Sequence, residues 1–149
     1  MPDRESLVHH YHMMREQLLA ALDGLTTDQL TEQTLDGWSV NDHLSHLVFW
    51  DEMRAADIER ISAGYESAWR MNERQVDVLN ETAHSLRRDF SVDQVLWELE
   101  RTRRLIETAI ANATERGLEP EHYAEPGLIS DHEAEHTHWI LAWRKRMEY

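Results

Sequence analysis

The stretch from Ser130 to Arg146 reads SDHEAEHTHWILAWRKR, and it places two histidines where a helix would ordinarily place leucines. Ser130 followed three residues later by Glu133 is the pattern of a capping box, so a helix is expected to begin there. At about 100° per residue, His132, His136, Trp139, Ile140, Trp143 and Met147 fall on one apolar stripe. Glu135, Thr137, His138, Arg144 and Lys145 take the rest of the circumference. The spacing therefore predicts two imidazoles on the buried face of the last helix.

Residues four apart stack about 6 Å from one another along a helix axis, close enough for two imidazoles to converge on one cation. Two neutral histidines can also sit in a core if each finds a hydrogen-bond partner. A third ligand decides between these readings. The chain has no cysteine at all, so any transition metal must be held by His, Asp or Glu.

Length and composition bound the rest. The 149 residues are enough for one domain with a real core. Five glycines, three prolines and helical periodicity throughout predict an all-α chain, an antiparallel four-helix bundle with an additional helix. Against 15 basic side chains stand 29 acidic ones, a net charge of -14 that repels phosphate backbones and anionic membranes. Nucleic acid and membrane partners are therefore not expected. With no apolar run of 18 residues and no basic, apolar leader, a cytoplasmic location is the expectation.

In chain order, a first helix is predicted from Asp3 to Leu22, ended by Gly24, with Leu7, Tyr11, Met14, Leu18, Leu19 and Leu22 as its apolar stripe. His9, His10 and His12 spread around it as surface or flank residues. A short turn at Thr27 to Leu30 precedes a second long helix, capped by Ser39 with Asp42 and running to about Gly64. Its core stripe is Val40, Leu44, Leu47, Val48, Ala55 and Ile58, with Ser45, Glu52, Ala56 and Glu59 facing away. His43, His46, Trp50 and Met53 lie along one flank, where a histidine can point toward the bundle axis. His46 is a candidate third ligand, and His43 is its neighbour and rival.

A third helix is expected from about Asn72 to Arg88, carrying Val76, Leu79, Ala83 and Leu86. The fourth, capped by Ser91 with Gln94, is expected to run through Val95, Leu99, Leu105, Ile106 and Ile110 to Gly117. A longer connection with Pro120 and Pro126 leads back to the last helix. Three histidines from two helices, His46 with His132 and His136, would form a half-shell of neutral nitrogens suited to Zn, Ni, Fe or Co with positions left open.

The chain also resembles a known family. Trp38-Ser39-Val40 with His46 eight residues after the tryptophan, together with His132-Glu133-Ala134-x-His136 and Ile140-x-x-Trp143-Arg144, is similar to the DinB/YfiT-like superfamily over essentially the whole length. The resemblance implies a four-helix bundle holding a divalent metal on His46, His132 and His136. It also implies hydrolases and thiol-dependent transferases or isomerases that use a low-molecular-weight thiol such as bacillithiol or mycothiol. Asn72 and Asn80 in the middle segment resemble the DfsB/ClbS-like branch, and dimers are expected of this fold. The enzyme reading assigns Lewis-acid chemistry on a small-molecule substrate to the metal, with Glu133, or Glu135 in its place, and His43 as candidate catalytic or supporting groups. The alternative is a helical bundle that sequesters a small apolar compound without turnover.

Three other patterns carry less. Glu81-x-x-His84 and Glu133-x-x-His136 both match the di-iron E-x-x-H signature. The short Asp89 to Ser91 join between the third and fourth helices argues against the crossover a ferritin-like bundle needs. Arg101, Arg103 and Arg104 are expected on a solvated, partly ion-paired face. With no cysteine, and no serine in a glycine-flanked strand-to-helix elbow, no activated nucleophile of those types can be built.

Overall fold

A computed structural model describes residues 3–124 and 127–149 of the chain. Helix α1 spans Arg4–Leu22, α2 Thr27–Thr31, α3 Val40–Ser62, α4 Glu73–Arg87, α5 Val92–Ala111 and α6 His132–Met147. Single 3-10 turns at Arg116–Leu118 and Pro120–His122 lie between α5 and α6. No strand occurs among the described residues. Pro126, expected in the connection to α6, lies outside them.

The helix starts follow from their caps. Asp3 accepts from the Ser6 N–H at the start of α1, and the Ser39/Asp42 capping box of α3 is made in both directions at 3.0 Å. A second reciprocal box, Asn72 with Gln75, starts α4. The last helix departs from expectation. Asp131 is its cap residue and makes no side-chain cap, while Ser130 Oγ accepts from the His132 N–H at 3.1 Å. Glu133 is not free to close a capping box, because its carboxylate is drawn into the core.

Cross-helix bonds give the topology. Tyr11 O accepts from Arg103 and Leu99 O from Arg15, so α1 and α5 run in opposite directions. Along α3 and α5 the partners advance together, Asn41 to Phe90, Asp51 to Arg103 and Ser62 to Thr114, so these two helices are parallel. Likewise His10 meets Ser130, Arg15 meets Glu133 and Arg144 meets Ala21, so α1 and α6 are parallel. The four core helices are thus two parallel pairs, antiparallel to one another. Helix α4 is the crossover that returns the chain so that α5 can lie along α3.

That role explains why α4 buries only Ala83 while Leu86 stays 73% exposed, against the expectation that both serve the core. It also covers part of α3: Arg87 donates to Ser45 Oγ at 2.7 Å, and Ser45, expected to face away, is buried. The α5 helix stops at Ala111 rather than Gly117. Gly117 serves close packing instead, since a Cβ there would collide with Ser62 Oγ.

The core divides along the bundle axis. One apolar cluster holds Leu7, Tyr11, Met14, Ile58, Ile61, Ile106 and Ile110. The other holds Leu18, Val40, Leu44, Val48, Val95, Leu99, Ile140 and Trp143. Between them lies a charged layer made by one level of all four core helices: Arg15, Asp51, Arg103 and Glu133. Burial is tolerated because two guanidinium groups meet two carboxylates at contacts of 2.7 to 3.3 Å. The placement of Arg103 in this layer, 6% exposed, corrects the expectation of a solvated face; Arg104 does lie outside, paired with Glu100.

Candidate metal centre

The charged layer sets the rotation of α6. With Glu133 pulled inward to 4% exposure, the buried face of the helix is Glu133, Thr137, Ile140 and Trp143. The expected stripe was turned by about one position, with Thr137 outside and Met147 inside. Met147 is in fact exposed and Thr137 buried. His132, His136 and Trp139 therefore fall at the edge of the buried face, half-buried, looking toward the first half of α3.

There they meet His46. His132 Nε2 lies 3.2 Å from His46 Nε2 and 3.1 Å from His136 Nε2, and these three residues form a group that could hold a metal ion. An ion about 2.0–2.1 Å from each imidazole nitrogen holds adjacent ligand nitrogens about 2.8–3.4 Å apart, across octahedral to tetrahedral bond angles. The observed spacing fits that range. A neutral ring nitrogen carries either one proton or one lone pair, so His132 Nε2 cannot both donate to one neighbour and accept from the other. A cation satisfies all three nitrogens at once.

The rings are also held in the form that ligates. Burial pushes His46 down to about 3 and His136 down to about 2, with neighbouring imidazoles adding to the effect, and burial lowers His132 as well. All three are neutral near pH 7.

His43 is close to the group but makes different contacts. It is buried, its Nδ1 lies 2.8 Å from His136 Nδ1, and its Nε2 lies 3.1 Å from Asp36 Oδ2. Asp36 sits in the tight turn before α3, where Gly37 takes a positive φ of 88° and Asp36 Oδ1 accepts from the Trp38 N–H and the Thr34 hydroxyl. Trp38 presents its edge relation to both His43 and His46, with centroids 5.5 and 5.6 Å away, and stacks on His84 at 4.7 Å. Sequence reasoning did not single out Asp36; the Asp-Gly turn just before the Trp-Ser-Val segment was the available signal.

Glu133, the other candidate acid-base group, has both oxygens taken. Oε1 accepts from Arg15 at 2.8 Å and Arg103 at 2.7 Å, and Oε2 accepts from Arg15 at 3.2 Å. The di-iron pattern is not assembled. Glu81 is exposed, and His84 faces Asp42 at 3.4 Å rather than Glu133. The short join weighed against that fold is not the relevant one, since α4 is itself the crossover between core helices.

Each ligand lines its own cleft. His46 borders a narrow space of about 10 Å³ with Asn80, His84 and Arg87. His132 borders one of about 20 Å³ with Trp50, Arg54 and Tyr11. The widest, about 210 Å³, is bounded by Asp36, His43, Glu135, His136 and Trp139.

Comparison with known proteins agrees with the all-helical fold. The sequence model of the DinB superfamily matches residues 10–143. No curated protein matches the chain. Among solved structures, the crystal structure of an uncharacterised protein from Escherichia coli UTI89 is similar with a TM-score of 0.81 at 17% identity, covering 99% of this chain and 96% of that one. At that identity the likeness concerns the fold. No helix among the described residues is long and apolar enough to cross a membrane.

Proposed function

The chain belongs to the DinB superfamily, and from that premise we propose that it is a divalent-metal-dependent enzyme acting on a small molecule, with His46, His132 and His136 as the metal ligands. The observation that carries this reading is the convergence of three Nε2 atoms, with those of His46 and His136 lying 3.2 and 3.1 Å from that of His132. When bound, the ion supplies Lewis acidity, lowering the pKa of a water or substrate thiol so that it is a nucleophile near neutral pH. Zn, Ni, Fe and Co all suit a set of neutral imidazoles. Hydrolysis and transfer of a low-molecular-weight thiol are the two reaction types we propose for this site.

The chain's own residues do the positioning. The cleft of about 210 Å³ receives the substrate against Trp139. Trp38 packs beside His46 and Trp50 beside both His46 and His132, limiting how far these rings can swing. Glu133 serves as an anchor rather than a base, tying the first turn of α6 to α1 and α5 through Arg15 and Arg103.

The test is a paired assay of the purified chain, loaded with each metal and after chelation, on ester and amide substrates and on thiol and electrophile pairs. Turnover that requires loading and is absent from His132→Ala supports the proposal. Turnover indifferent to chelation contradicts it, and loading without turnover on any pair favours the sequestering bundle.

A further inference from the structure

One line of polar atoms connects the turn before α3 to the candidate metal ligands. Asp36 Oδ2 lies 3.1 Å from His43 Nε2, His43 Nδ1 lies 2.8 Å from His136 Nδ1, and His136 Nε2 lies 3.1 Å from His132 Nε2. The direction of every proton along it follows from its far end. A carboxylate has only acceptors, so the first contact requires a proton on His43 Nε2. A neutral imidazole carries one ring proton, so His43 Nδ1 is bare and accepts. The 2.8 Å contact then requires the proton on His136 Nδ1, which leaves His136 Nε2 as a lone pair aimed at the other two ligands.

We propose that Asp36 and His43 are positioning residues that fix the tautomer and ring orientation of His136, so that its Nε2 is presented to the cation before the cation arrives. The inference rests on the metal reading of the three histidines and extends it to two residues outside the ligand set. Histidine ligands are generally oriented by a hydrogen bond at the nitrogen away from the metal, and here that bond passes through a second imidazole before reaching a carboxylate.

The surroundings suit the task. Burial opposes a charge on His43, with Asp36 acting the other way, and the net shift is downward. Burial of Asp36 acts to raise its pKa, but hydrogen bonds from the Trp38 N–H, the Thr34 hydroxyl and the His43 ring carry it below the ordinary carboxylate range. The carboxylate is held by the same turn that places Trp38, with the Thr34 backbone N–H donating to Trp38 O at 2.9 Å. Trp139 Nε1 reaches Thr34 Oγ1 at 3.4 Å, so the turn is tied to α6 itself.

The test reads ring protons directly. Long-range proton–nitrogen NMR spectra of the metal-free full chain, labelled at histidine, distinguish protonated from bare ring nitrogens. The wild type is expected to show His136 protonated at Nδ1 and His43 at Nε2. Asp36→Asn can offer an amide N–H to His43 and thereby reverse the line, placing a proton on His136 Nε2. Zinc affinity, measured by competition with a chromogenic chelator, should then fall by about 10- to 100-fold. His43→Phe keeps a ring in place while cutting the line, and should lower zinc affinity by a similar factor with His136 no longer confined to one tautomer.

A wild-type His136 protonated at Nε2 overturns the inference, as does Asp36→Asn with unchanged tautomers and unchanged zinc affinity. If the wild-type tautomers are as stated and zinc does not bind, the hydrogen-bond line stands and the metal reading falls.

Discussion

Glu133 on α6 and Arg15 on α1 are joined at two points, Oε1 to Nη2 at 2.8 Å and Oε2 to Nε at 3.2 Å, inside the bundle and one residue away from a candidate metal ligand. This pair, with Arg103 and Asp51, sets the rotation of α6 and so decides that His132 and His136 stand at the edge of the core rather than at its centre. Removing one partner leaves a buried charge without its counter-ion. Arg15→Ala is expected to lose roughly 3–5 kcal/mol in urea unfolding. Arg15→Met combined with Glu133→Leu should cost less than the two single changes summed, and strict additivity would show that the pair is not energetically coupled.

The helical phase is tested by histidines two residues apart. His136→Ala should abolish metal-dependent stabilisation, which at a metal concentration of 100 times Kd is about 2.7 kcal/mol. His138, exposed on the outer face of α6, should be silent when replaced by alanine. Thermal melts with and without zinc check both, and the reverse pattern would place the wrong face toward α3.

How much of this was legible in the sequence depends on what each residue had to reveal. The periodicities of α1, α3 and α5 and the Ser39/Asp42 box located their helices because capping and apolar spacing are local. Face and spacing nominated His132 and His136 and left His46 and His43 as rivals for the third position; the family resemblance chose His46, and the structure brings those three together. The charged layer was not read, although its signal was present: Arg15, Asp51 and Arg103 each stand at a core position of an apolar stripe, between Tyr11 and Leu18, Val48 and Ala55, Leu99 and Ile106. Charges there looked like interruptions of a pattern, because the partner that neutralises each lies on another helix. The same long-range pairing rotated α6 by about one position and took Glu133 out of its expected cap. Asp36 escaped notice for a related reason, since a turn residue discloses nothing of the His43 imidazole that it faces, nor of the onward contact from His43 to His136 on α6.

Stability should fall in acid with a sign fixed by the depressed histidines. Free histidine titrates near 6.5, whereas burial holds His46 at about 3 and His136 at about 2. Above pH 6.5 neither state takes up a proton at these rings. Below it the unfolded chain is protonated and the folded chain is not, so stability declines from about pH 6.5 toward the folded values, by about 2 kcal/mol per such histidine at pH 5. Urea midpoints of metal-free protein at pH 8 and pH 5 measure this, and His46→Gln should show the shallower decline. Equal declines in the two proteins would mean that His46 is not held neutral by the fold.

The turn at Gly117 gives a test of packing remote from the histidines. Gly117→Ala directs a methyl group at Ser62 Oγ and should cost about 1–3 kcal/mol. Adding Ser62→Gly removes the obstructing side chain and should recover part of the loss. Gly117→Ala without any loss would show that the junction of α3 with the Arg116–Leu118 turn is looser than described.

The central claim is that three imidazoles form one metal site, and elemental analysis of the chain purified without an affinity tag tests it most directly. After zinc loading and removal of excess, the wild type is expected to retain one divalent ion per chain, while His46→Ala, His132→Ala and His136→Ala each retain none and His138→Ala retains one. A wild type that keeps no metal at pH 8, or ligand variants that keep as much as the wild type, would contradict it.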